Sequence, residues 1–146
     1  HEGPLKIKTA SIQVEKGVIK EGTIIVDMDS LGCDDMKEGK WRTKLLGHLK
    51  SDDFFSVKKF KTSVLRVKGS KLLPSGDLKV NGSLVIKGIE KPIEFIAKKV
   101  GGNFKGELVF NRTHYNIKFN SGSFFKNLGD KMIYDSVKLS FLIKLK

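Results

Sequence analysis

The residue types from which acid–base chemistry or a metal site is built are sparse in this chain. There are three histidines, His1, His48 and His114, and two adjacent acid pairs, Asp34-Asp35 and Asp52-Asp53. No two histidines have the spacing of a zinc pair on a helix or strand. Neighbouring acids point to different sides, so neither pair makes a general acid and base by itself. Cys33 is the single cysteine, so no intrachain disulfide forms, and a plain unpaired thiol is expected. No glycine-rich phosphate loop is present. His48 is the strongest single candidate. Its plainer reading is a helix-end histidine bonded to backbone. The functional reading is a polar contact at the mouth of a cavity, and a general base has the least support. No catalytic residue, metal or enzyme activity is expected.

The elements that would position His48 are mostly strands. Val137, Leu139, Phe141, Ile143 and Leu145 alternate with polar residues up to Lys146. Val80 to Ile86, Ile93 to Ala97, Gly106 to Phe110 and Tyr115 to Phe119 show the same period, as do Leu5-Ile7 and Ile24 to Met28. Turn signals stand at Glu15-Lys16-Gly17, Pro74 to Asp77, Gly88 to Pro92, Gly101-Gly102-Asn103 and Asn120-Ser121-Gly122. Asn81-Gly82 is no hairpin, because the alternation keeps phase through it. Gly82 is expected to permit a bulge or sharp curvature in a long strand. Long strands with short turns suit a closed antiparallel barrel, which leaves no free edge. Between Gly39 and Phe60 the spacing of Trp41, Leu45, His48 and Leu49 turns helical. A helix is expected near Lys40–Leu49, then a helical turn capped by Ser51 with Asp52 and Asp53 behind it.

The 146 residues suit one domain, 1–146, long enough to bury a core unaided. The first residue is His1 rather than Met, as expected of a processed, trimmed or fragmentary chain. No apolar run is long enough to span a membrane. The formal charge is +12, from 28 Lys+Arg against 16 Asp+Glu, which favours an anionic partner. Arginine, the bidentate phosphate ligand, occurs only at Arg42, Arg66 and Arg112. The lysines read as solvated strand faces, and the ten phenylalanines fall on the opposite face. That separation disfavours a stacking platform for nucleic-acid bases.

Three segments in order resemble the YceI-like family of polyisoprenoid-binding proteins. Leu45 to Phe60 is similar to its His-Leu-Lys-Ser-x-Asp-Phe-Phe-x-Val-x-Lys-Tyr/Phe signature. Leu78 to Phe95 resembles its strand, Gly-x-x-Lys-Pro turn and next strand, and Phe110 to Ile117 its Asn/Asp-Arg-x-x-Phe/Tyr-x-Ile/Val segment. Gly129 to Leu145 resembles its last strand after a Gly-Asp turn. The start, His1-Glu2-Gly3, is similar to the end of the family's opening strand, so that strand is expected to be missing and the closure of the barrel altered. The family's Tyr-Pro after the lysine is Phe60-Lys61 here.

The resemblance implies an all-β, extended, lipocalin-like antiparallel barrel with one short helical insert around residues 40–55. It implies non-catalytic binding or carriage of a long amphiphile: an isoprenoid, quinone or fatty-acid-like lipid. It also implies a bacterial periplasmic or secreted setting, and no cofactor beyond such a ligand. Carried over by motif, the ligand-facing residues are Leu45, Leu49, Phe54 and Phe55 from the insert. Leu84, Ile86, Ile93, Phe95, Leu108, Phe110, Leu139, Phe141 and Ile143 come from strands. His48 and Arg112 are the polar positions; Arg112 either holds a head group or serves the structure, and the structural role is preferred. A homodimer and peripheral contact with an anionic membrane are further expectations. The rival reading is a basic surface module with a filled core, binding anionic lipid head groups or nucleic acid.

Overall fold

Alternation puts one face of most strands against a shared apolar interior, and the chain pairs its strands strictly in order. The computed structural model describes residues 2–126, 128 and 133–144. Seven strands form one antiparallel sheet in the order β1 to β7. They are β1 (Lys6–Glu15), β2 (Val18–Asp27), β3 (Thr62–Leu72), β4 (Leu78–Ile86), β5 (Ile89–Val100), β6 (Asn103–Asn111) and β7 (Ser136–Ile143). One helix, α1 (Lys40–Lys50), interrupts them between β2 and β3. Among the described residues β1 and β7 do not pair. The sheet is therefore a curled, open half-barrel of the lipocalin-like type. The Gly129-Asp130 turn, Leu145, Lys146 and His1 lie outside the described residues.

The inward rows explain the curl. Leu78 faces Ala97, Ala97 faces Gly106, and Gly106 faces Phe141 across four strands. Ala10, Ile24, Leu65 and Leu84 form a second such row. Most of these residues belong to a single cluster that includes Val80, Phe95, Leu108, Phe110 and Ile117. Outward positions carry the lysines, some in cross-strand ion pairs such as Lys79–Glu94 at 3.2 Å and Lys138–Glu107 at 3.1 Å. Exposed pairs of this kind contribute little stability.

Gly82 lies in mid-strand, as its phase requires. A Cβ there would stand 1.9 Å from the Arg66 carbonyl oxygen, so β3 and β4 meet more closely than any side chain allows. The bulge itself falls on β3, where the register steps from Val67↔Gly82 to Gly69↔Asn81.

Four expectations are corrected. Tyr115 to Phe119 is not a strand: Arg112–Tyr115 is a 3-10 helix, capped by the Asn111 side chain and ended by Asn116 in the left-handed region at φ 61°. Tyr115 and Ile117 are buried even so, which is why the alternation looked strand-like. β3 alternates from Thr62 to Lys68, with Ser63, Leu65 and Val67 buried, and adds a strand to those read from the sequence. β5 begins at Ile89, before Pro92; it pairs with β6 only from Ile96, so Pro92 lies where β5 has a free edge. Finally, Ser51 ends α1 instead of capping a following turn: its hydroxyl donates to the His48 carbonyl.

Candidate functional site

The insert is built from the C-terminal end of α1 downward. No residue of α1 is fully buried; Leu45, Leu46, His48 and Leu49 are half-buried, and Trp41 is exposed. The helix thus lies on the half-barrel instead of plugging it. After Ser51 the chain doubles back, with the Phe54 N–H donating to Ser51 O and the Phe55 N–H to Leu49 O. Asp52 accepts the Ser56 hydroxyl at 2.6 Å, which holds its carboxyl below the usual range, helped by Lys59. These bonds turn Phe54 into the core cluster and leave Phe55 packed on its border.

His48 meets two rings edge-on, Phe54 at 5.2 Å and Phe119 at 4.6 Å between centroids. Its Nε2 lies 3.5 Å from Asp53 Oδ2. This is a histidine held at the rim by aromatic edges and one exposed carboxylate. Among the described residues no group of three or more His, Cys, Asp or Glu could hold a metal. Cys33 is buried and donates to Asp35 at 3.0 Å, which raises its thiol above the ordinary value. A raised thiol is a poor nucleophile.

Arg112 is buried, with its guanidinium over the Phe54 ring at 5.3 Å. Its Nε donates to Tyr134 O, one terminal nitrogen to Ile117 O and the other to Ile133 O, each at 2.9 Å. Asp135 stands 3.9 Å away and accepts the Ser121 and Ser123 hydroxyls. Arg112 therefore ties the segment before β7 to the 3-10 turn. Its fork is directed at backbone carbonyls.

Two concavities among the described residues differ in kind. The larger, about 570 Å³, lies on the outer face, lined by Ser11, Gln13, Glu21, Thr23, Arg66 and Lys68 with Gly22 and Val67. Its polar, mixed-charge lining does not suit an apolar chain. The smaller, about 350 Å³, lies at the seam between β1 and β7 and takes residues from both faces of β7. Ile7, Ala10 and Ile12 of β1 form one wall. Phe141, Leu142 and Ile143 of β7 form the other, with Ile24 of β2 as the floor and Lys144 at the end of β7.

The residues expected from the sequence divide accordingly. Phe54, Leu84, Ile86, Phe95, Leu108, Phe110 and Ile143 are buried members of the core cluster. Leu49, Phe55, Ile93, Leu139 and Phe141 are half-buried against it, and Leu45 lies on the helix outside it. Of the whole set, only Phe141 and Ile143 line the seam. Ala10, Ile12 and Ile24 were not among the expected residues, although their alternation along β1 and β2 carries the same inward signal.

A family model, the YceI-like domain, matches residues 1–145. No curated protein matches the chain. Among solved structures it is similar to the Campylobacter jejuni YceI protein at 17% identity and a TM-score of 0.71, covering 98% of this chain and 84% of that one. It is similar to Burkholderia cenocepacia BcnA at 17% identity and a TM-score of 0.73, covering 94% and 82%. A variant of the first protein, made for nanotechnology applications, matches at 19% identity and a TM-score of 0.75, covering 97% and 82%. These likenesses establish the fold.

Proposed function

Since the chain belongs to the YceI-like domain family, we propose that it is a non-catalytic carrier of a long apolar chain, such as an isoprenoid, a quinone or a fatty-acid-like lipid. The observation that carries this reading is the sidedness of the sheet. Lysines face outward, and apolar residues from every strand face one curved interior that opens at the seam. Each buried ligand CH₂ contributes on the order of 0.8 kcal/mol, so a long tail needs few polar contacts. The family's polyisoprenoid binding supports the same ligand class. A periplasmic or secreted setting goes with this reading. No helix among the described residues is long and apolar enough to cross a membrane, which leaves membrane-spanning strands unaddressed. Organic extraction of the protein purified from a bacterial host, followed by mass spectrometry, tests the proposal. A stoichiometric long-chain lipid is the expected result; repeated recovery of lipid-free protein that also refuses added lipid contradicts it.

One observation favours a second reading. Most of the interior is already filled by side chains, with Leu78, Val80, Ala97 and Ile117 fully buried. A filled core with a lysine-rich exterior is what a module for anionic surfaces would have, and contact with an anionic membrane belongs to that reading. Salt separates the two, because lysine-driven binding weakens as salt rises.

A further inference from the structure

We propose that the seam between β1 and β7 is the tail site for an amphiphile with one apolar chain and an anionic head group, and that Lys144 meets the head. This rests on the carrier reading above and specifies where the ligand sits and what its polar end is.

Four observations converge. The seam brings apolar side chains of β1, β2 and β7 together around one concavity. Its lining is apolar apart from Lys144 and includes no acid, whereas the larger concavity holds Glu21. At about 350 Å³ it lies at the small end of ligand pockets, the size for a single chain rather than a bulky ring system. The wall formed by β1 is the least buried of the sheet, with only Ile12 half-buried, and β1 pairs with β2 alone. That wall is therefore open to a tail arriving from solvent. On the opposite side Phe141 closes the seam from the packed interior, its ring edge-on to Phe95 at 5.4 Å.

The test is calorimetric titration of the intact protein with dodecanoate and dodecanol, which share a tail and differ in charge. Wild type should bind both. Ala10→Phe fills the seam from an exposed edge position and should weaken both by about tenfold or more. Lys144→Glu should weaken dodecanoate by about tenfold and leave dodecanol unchanged. Circular dichroism checks the fold of each variant, and Lys144→Glu carries the test alone if Ala10→Phe does not fold. Unchanged dodecanol binding by folded Ala10→Phe overturns the seam as the tail site. Equal effects of Lys144→Glu on both probes overturn the head-group assignment. Sedimentation showing a dimer that Ala10→Phe dissociates means a second copy fills the seam, and that also overturns the site. In these cases other binding of the probes keeps the carrier reading alive. Failure of wild type to bind either probe overturns the seam site, while the lipid extraction above decides the carrier reading.

Discussion

The ring of Phe141 lies on Gly106 so closely that a Cβ at position 106 would stand 2.4 Å from its Cζ and 2.5 Å from Cε2. The two residues are register partners on β6 and β7, and Ala97 beside Gly106 is fully buried. Small residues in this row make the slot that holds the ring between seam and core. Gly106→Ala should therefore cost about 1–3 kcal/mol, as overpacking does. In a Phe141→Ala background the same change should cost nothing, since the clash is gone. Urea unfolding of the four proteins gives the coupling, and additive effects would contradict the slot.

Arg112 yields a prediction that separates structure from ligand contact. Arg112→Met strips donors from the carbonyls of Ile117, Ile133 and Tyr134. Of these bonds only the one to Ile117 is fully buried, and an unsatisfied buried acceptor costs about 1–3 kcal/mol, so a loss of at least about 1 kcal/mol is expected in denaturant melts. Arg112→Lys should also be destabilised, but the folded fraction should bind dodecanoate and dodecanol as wild type does. Selective loss of dodecanoate binding would make Arg112 a head-group ligand after all.

Asp135 sets an acid limit. Donation from the Ser121 hydroxyl, then from Ser123, holds its carboxyl below the ordinary value of 3.8. In the acid window the unfolded chain binds the proton that the folded one refuses. Its stabilisation is thus complete above that ordinary value and is lost as pH falls through the lowered one. Asp135→Asn should flatten the fall in melting temperature across that window; an identical acid profile in wild type and variant would refute the assignment.

Leu84 is buried in mid-cluster. Leu84→Lys places an ammonium where no partner waits, so it should abolish lipid uptake or folding. Native mass spectrometry showing a folded variant with its lipid retained would remove Leu84 from the interior wall.

How far these features can be read in the sequence depends on which residues make them. Strands β4, β6 and β7 are legible because one face is buried or half-buried along their length, as with Leu108 and Phe110 against Glu107. β3 is not, because buried Ser63 is polar and the bulge after Val67 shifts the phase. Tyr115 and Ile117 imitate a strand because a 3-10 turn and an extended segment bury alternate residues in succession. The insert is legible in outline, but Ser51 shows that a cap residue fits either end of a helix until the chain's direction is known. The Arg112 knot is invisible beforehand, since its acceptors are backbone carbonyls. The seam is equally hidden: Ala10 and Phe141 stand at opposite ends of the chain, and only the curl of seven strands brings them to one cavity.

The central claim is that the interior side of the sheet, and not its lysine-covered exterior, holds the ligand. Titrating the protein with geranylgeraniol, a neutral long-chain probe, at low and at high salt tests it most directly. Binding in an apolar cavity predicts an affinity that holds or rises slightly with salt. An affinity that collapses as salt rises, or binding confined to anionic vesicles with none of the neutral probe taken up, would contradict the claim.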